Sequence, residues 1–180
     1  MGNQQERLEN RIAWLTGIIE GEGWVSLTFV KTNQKNGKFT NTLCPVIGIA
    51  NTDKFIMNEV KNIFEKLGIV SRFNTRKATI GKDGISRKKR YEISCSSRKG
   101  LKVLISAIYP YMIGGKKMRA KKLLDFFSIR ERKPCSGPNS KYGPEEFEIY
   151  KELYSYKGKS RSRILNDYTP NTLSRGDDIV

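Results

Sequence analysis

The spacing of apolar residues along the chain changes from helical to strand-like, and this change occurs twice. Over about Gln5–Glu20, apolar positions recur every three or four residues, which predicts an amphipathic helix that Gly21 and Gly23 end. From Trp24 to Lys31 the period falls to two, which predicts a half-buried strand. A polar stretch then leads to a second strand around Ile47, so a long hairpin follows the helix.

A second helix and a second hairpin follow the first pair. Thr52 or Asp53 is placed to cap the second helix, and a turn at Lys82–Gly84 joins the strands of the second hairpin. A third helix ends at Pro110, and a further helix runs over about Lys116–Phe127. The order is therefore αββαββα with extra helices, which is an α+β fold of antiparallel hairpins.

We expect one domain over residues 1–180. Its core covers about 7–128, and a helical extension with a basic tail covers about 129–180. A hydrophobic fraction of 37% is typical of a globular chain of this length. No apolar run is long enough to span a bilayer, so we expect a soluble, intracellular protein without a membrane partner.

The charge of the chain favours a polyanionic partner. The sequence holds 34 lysines and arginines against 18 acidic residues, which gives a formal net charge of +16. Nucleic acid is the partner that this charge favours, and a generally basic soluble protein is the alternative. The sequence contains no histidine, which excludes Ser-His-Asp and Cys-His catalysis and histidine-containing zinc sites. Cys44, Cys95 and Cys135 lack a CxxC spacing, which argues against a disulfide scaffold and a metal knuckle.

The sharpest local motif is the nonapeptide Leu15–Gly23, at the end of the first predicted helix. Ala13, Gly17 and Gly21 are four residues apart, so they form a ridge of small residues that allows a second helix to approach closely. Glu22 lies at the helix end, where the dipole is already negative. A hard cation at this end would make the carboxylate favourable, and a solvated glutamate is the alternative.

This nonapeptide resembles the signature of the LAGLIDADG homing endonucleases. Leu15, Gly17, Ile19 and Gly23 match it, and acids occupy both acidic positions, with glutamate in place of aspartate. The resemblance implies a DNA-binding saddle of β-hairpins. It also implies a homodimer, because the chain holds one motif, and a sequence-specific endonuclease that cuts a long, pseudo-palindromic site. An RNA-binding intron maturase and a non-catalytic DNA-binding regulator are the alternative functions on this scaffold.

The resemblance also implies roles for individual residues. Glu22 would ligate Mg²⁺ or Mn²⁺ together with the carbonyl of Gly21, and Ca²⁺ would be a non-catalytic substitute. Glu20 would be structural. Asn51 would position water, although a turn or cap amide is an alternative for it. Lys116 would be the active-site lysine. The lysine that follows it is not excluded from this role, and a solvated surface charge is the alternative.

The polar faces of the two predicted hairpins supply candidate DNA contacts. Because a β-ribbon fits the major groove, these side chains would address base edges or phosphates. The alternative for each single cation is a solvated surface residue. The candidates are Ser26, Thr28, Thr40, Thr42, Arg72, Asn74, Arg76, Lys88 and Arg90, with Lys31, Lys35 and Lys38 as phosphate contacts. The expected partners are double-stranded DNA and a second copy of the chain, with no small-molecule substrate.

Overall fold

A computed structural model describes residues 2–33, 39–81, 83–133 and 142–155 of the chain. Its elements, in order, are α1 (Gly2–Glu22), β1 (Gly23–Asn33), β2 (Phe39–Asn51), α2 (Lys54–Lys66), β3 (Arg72–Arg76), β4 (Thr79–Ile80), β5 (Ser86–Arg87), β6 (Arg90–Cys95), α3 (Arg98–Ile108), a 3₁₀ turn (Tyr109–Tyr111), α4 (Gly115–Arg132) and α5 (Pro144–Ser155). The predicted α+β class and the order of helices and hairpins are confirmed.

Four of the strands form one antiparallel sheet in the order β1-β2-β6-β3. Ile93 of β6 lies at its centre, with Ile49 of β2 on one side and Phe73 of β3 on the other. Strands β4 and β5 form a separate two-stranded ladder. The second predicted hairpin is therefore present, but its ladder is interrupted.

The sequence predicted that Gly21 and Gly23 end the first helix, and this prediction was wrong for Gly21. Gly21 lies inside α1, which continues to Glu22, and only Gly23 ends it. A Cβ at Gly23 would lie 2.7 Å from the carbonyl oxygen of Ile19 and 3.0 Å from that of Gly48. A glycine is required here because the chain passes between two backbones as it leaves the helix.

The contacts of the chain divide it into two compact units. The first unit comprises Met1–Val25 and Pro45–Ala120, and the second comprises Ser26–Cys44 and Lys121–Val180. In the first unit the apolar faces of α1, α2 and α3 are buried. Asp53 caps α2, because its Oδ1 accepts hydrogen bonds from the backbone N–H groups of Phe55 and Ile56, at 2.7 and 3.4 Å.

The second unit contains a buried ionic cluster around Glu146, whose side chain is 0% exposed. One of its carboxylate oxygens accepts from Arg130 at 3.3 Å, and the other from Lys133 Nζ at 2.7 Å and the Gly143 N–H at 2.6 Å. The Arg130 guanidinium also lies 4.7 Å from the ring centre of Tyr142. Because the carboxylate is paired and hydrogen-bonded, its burial is tolerated.

The substitution Glu146→Ala tests how much this cluster contributes to the free energy of unfolding. Burial opposes the charged form of Glu146, but the hydrogen bonds from Lys133 and Gly143 outweigh it and hold the pKa of this carboxyl below its usual value. The group therefore stabilises the folded state above the unfolded pKa, and this stability is lost as the pH falls through the lower, folded pKa. At neutral pH we expect the substitution to lower the free energy of unfolding by about 3–5 kcal/mol.

Urea denaturation measures this change, and Glu148→Ala is the matched control. Glu148 lies on the same helix and forms an exposed pair with Lys151, so its loss should cost less than about 1 kcal/mol. Equal decreases in the free energy of unfolding for the two variants would show that the cluster around Glu146 stabilises the fold no more than an exposed ion pair does.

Candidate functional site

The tip of α1 carries an exposed carboxylate that a neighbouring strand holds in place. Glu22 is the last residue of α1, and Asn51 is the last residue of β2. Asn51 Nδ2 donates to Glu22 Oε2 at 2.9 Å. Asn51 Oδ1 accepts from the Asp53 N–H at 2.8 Å. Both ends of the amide are therefore engaged, so Asn51 forms a turn with its own backbone and also orients the carboxylate.

Lys116 joins the start of α4 to the end of α1. Its Nζ donates to the carbonyl oxygens of Ile19 and Glu20, at 2.8 and 2.6 Å. These are among the last carbonyls of α1, which have no partner inside the helix. Burial lowers the pKa of the Lys116 ammonium; Glu20 opposes this shift and Arg119 adds to it. The side chain of Lys117 takes a different direction, and its ammonium lies 5.0 Å from the ring centre of Tyr109.

The two acids of the nonapeptide have different surroundings. Glu22 is exposed, whereas Glu20 Oε1 is buried and has no hydrogen-bond partner among the described residues. Glu20 Oε2 faces Gly114. A Cβ added to Gly114 would lie 3.1 Å from this oxygen. The first acid therefore points into the protein beside the start of α4, and the second points out.

One face of α1 is left uncovered by the part of the chain that the structure describes. Among the described residues, nothing lies within 4 Å of a Cβ placed at Gly17 or Gly21, and both glycines are exposed. Ala13 is half-buried, and the side chain of Trp14 is 38% exposed on the neighbouring turn. Sequence reasoning found the small residues but missed Trp14, although a tryptophan three residues before Gly17 falls on the same side of a helix.

The tip offers oxygen ligands, which suit hard divalent cations. These are the Glu22 carboxylate and the carbonyl of Gly21. Nowhere in residues 2–33, 39–81, 83–133 and 142–155 do three acidic or cysteine side chains form a group that could hold a metal ion. Within these residues the tip therefore offers two kinds of oxygen ligand but no larger acidic cluster.

The paired strands β3 and β6 carry a cationic face with one acid in its centre. Arg72, Asn74 and Arg76 alternate along β3 and are exposed. Glu92 of β6 accepts from Arg76 at 3.1 Å and from Arg90 at 2.9 Å. Sequence reasoning missed Glu92, although it lies two residues from Arg90 and so shares its face.

The other predicted DNA contacts differ in exposure. Ser26 was predicted to lie on an open polar face, but its side chain is 2% exposed, because β1 is buried on both sides at this point. Thr28 is half-buried and donates to the Cys44 carbonyl at 3.0 Å. Thr42 is half-buried, and Lys88 is exposed between β5 and β6. Lys31 lies in β1 and Thr40 in β2, and Lys35 and Lys38 lie outside the described residues.

None of the helices in the described part of the chain combines the length and apolar character that a bilayer crossing requires.

Comparison with solved structures shows proteins of similar fold. An alignment with the homing endonuclease I-CvuI covers 93% of this chain and 92% of I-CvuI, with 17% identity and a TM-score of 0.61. I-CvuI has been crystallised with DNA in the presence of calcium and of magnesium. I-TnaI matches over 87% of this chain and 93% of its own, with 18% identity and a TM-score of 0.57.

The LAGLIDADG homing endonuclease I-GzeII, crystallised with a DNA target, is a longer relative in fold. The alignment covers 87% of this chain but 48% of I-GzeII, with 19% identity and a TM-score of 0.54. No curated protein sequence shows significant similarity to the chain.

The sequence profile of the homing endonuclease family matches residues 4–107, which is more than half of the chain. The matched segment includes the nonapeptide, the four-stranded sheet and α2, and nearly all of α3. The chain belongs to the homing endonuclease family and has that family's function of sequence-specific DNA cleavage.

Proposed function

We propose that two copies of this chain bind a long, nearly palindromic DNA duplex and hydrolyse one phosphodiester bond in each strand. The observation that carries this proposal is the Glu22 carboxylate, which Asn51 holds at the exposed tip of α1. The tip lies on the same helix as the uncovered residues Gly17 and Gly21. A second copy of α1 on this face would bring two such tips together.

The uncovered face of α1 supports a homodimer. Small residues allow two helices to pack closely, and Trp14 adds apolar area beside them. The chain matches nearly all of I-CvuI but about half of I-GzeII, which supports one half of a cleavage module per chain. Because a two-fold axis relates identical halves, the expected target is close to a palindrome.

The oxygen donors at the tip fit a divalent cation. Glu22 and the carbonyl of Gly21 would hold Mg²⁺ or Mn²⁺, with Ca²⁺ as a non-catalytic substitute. DNA phosphates, water and the second tip would supply the remaining ligands. When bound, such a cation lowers the pKa of water and offsets the charge that develops on the phosphate.

The side chains around the tip would orient the water and stabilise the charge that develops on the phosphate. Asn51 would fix the orientation of Glu22 and, through its second amide hydrogen, the position of a nearby water. An ammonium has three N–H donors and Lys116 directs two of them to α1, so its third would reach a phosphate oxygen and stabilise developing charge. Without histidine, direct attack by water is the hydrolysis that this residue set supports.

The exposed face of β3 and β6 would bind DNA in the major groove, which admits a two-stranded ribbon. Arg72, Asn74, Arg76 and Arg90 would contact base edges or phosphates, while Glu92 holds two of these arginines in place before DNA binds. The further contacts that we propose are Thr28, Lys31, Lys35, Lys38, Thr40, Thr42 and Lys88. Ser26 is left out because it is buried.

Selection of cleaved duplexes from a randomised DNA pool tests this function. With Mg²⁺ we expect one nearly palindromic sequence to be cut on both strands. Glu22→Gln should bind the selected duplex with affinity unchanged within a few-fold but cut it at least ~10³-fold more slowly, because the amide cannot replace the carboxylate as a ligand. Undiminished cutting by this variant, measured by gel assay, would remove Glu22 from the mechanism.

Lys116→Met and Lys117→Met form a matched pair that separates the two adjacent lysines. Each variant loses one charge near the start of α4, but only Lys116 contacts the end of α1. We expect Lys116→Met to lower the single-turnover cleavage rate by about 10²-fold. Lys117→Met should change it by no more than a few-fold. Equal rates for the two variants would contradict the role proposed for Lys116.

A further inference from the structure

The ladder of β4 and β5 continues the ribbon of β3 and β6. In the inner ladder Arg76 pairs with Arg90, and in the outer ladder Thr79 pairs with Arg87 and Ile80 with Ser86. Two residues separate the ladders on each side, 77–78 and 88–89, so no extra residue shifts the register. The alternation of side chains is therefore preserved from one ladder to the next.

This register places Ile80 on the cationic face. Ile80 follows Arg76 by four residues, an even number, so both side chains lie on the same side of the ribbon as Arg72 and Asn74. Ile80 is 76% exposed. Ile85 is 59% exposed but precedes Ser86 by one residue, so it lies on the opposite side. A single exposed apolar residue is common on protein surfaces, but Ile80 extends a row of candidate base contacts.

The outer part of the ribbon is held in shape by its own side chains. The carboxylate of Asp83 accepts from the Arg87 guanidinium at 2.7 and 3.1 Å and from the Ile85 N–H at 3.2 Å. Gly84 has a φ of +73°, which the turn requires. The ribbon also carries strong positive charge, because residues 77–90 contain six lysines and arginines and one aspartate. A pre-shaped cationic ribbon complements DNA without a large ordering cost.

We infer that Ile80 is a specificity residue that contacts the C5-methyl group of a thymine at the outer part of each half-site. This inference rests on the proposed function. The thymine methyl is the apolar group that base pairs present in the major groove, so it is the partner that an exposed isoleucine recognises there. A strand rises ~3.3 Å per residue and B-DNA ~3.4 Å per base pair, so Ile80 contacts a base about four pairs outward from the position of Arg76.

Replacement of thymine by deoxyuridine removes only this methyl group and is the direct test. The full chain is first used to select duplexes by binding from a randomised pool, and each outer thymine of the selected duplex is then replaced in turn. We expect one symmetric pair of positions where wild-type protein binds the deoxyuridine duplex about fourfold more weakly per half-site, the effect of burying one methyl-sized group.

Two variants identify the side chain responsible. Ile80→Ala should bind the thymine and deoxyuridine duplexes equally at this position. Ile85→Ala, on the opposite side of the ribbon, should keep the wild-type difference.

If Ile80→Ala still bound the thymine duplex more tightly than the deoxyuridine duplex, the inference would be overturned. It would also be overturned if the wild-type protein selected a specific duplex but bound thymine and deoxyuridine equally at every outer position. Both results leave the proposed function intact. If no duplex sequence were selected at all, the proposed function would fail together with the role of Ile80.

Discussion

The bonds from Lys116 to the end of α1 are the interaction on which the candidate site depends. A helix leaves its last carbonyls unpaired, and an anion at this end is disfavoured by about 0.3–1 kcal/mol. Lys116 satisfies two of these carbonyls and places a positive charge beside them, which offsets the unfavourable position of Glu22. Gly23 then lets the chain turn at once into β1, and Asn51 fixes the exposed carboxylate.

The helix gives the two acids of the nonapeptide different surroundings. Residues two apart on a helix point in different directions, so Glu20 turns into the protein towards Gly114 while Glu22 faces outward. Within the described residues, the same helix leaves Gly17 and Gly21 uncovered. The candidate site therefore consists of one outward carboxylate, one positioned lysine and one exposed helix face, which we propose to be half of a symmetric cleavage centre.

Much of this architecture is predictable from the sequence because hydrophobic period and capping are local properties. The first helix, the strands around Val25 and Ile47, and the cap at Asp53 all follow from nearby residues. The error at Gly21 arose because a glycine favours a helix end, whereas α1 includes this glycine and continues to Glu22.

The features that were missed depend on contacts between distant residues. Ser26 fits a polar strand face, but only the fold shows that this face is covered. The bonds from Lys116 to α1 span more than ninety positions of sequence, and no pattern of spacing predicts them. Glu92 likewise gains its cross-strand partner Arg76, and the buried Glu146 its partners, only when strands and helices come together.

The central claim is that two copies of the α1 tip meet over the DNA backbone. A crystal structure of the chain on its selected duplex, with Ca²⁺ in place of Mg²⁺, measures this directly. The account predicts two α1 helices in contact through Gly17 and Gly21, with each Glu22 carboxylate bound to Ca²⁺ beside a phosphate that is to be cut. Helix tips that lie apart, with Glu22 facing only solvent, would contradict it.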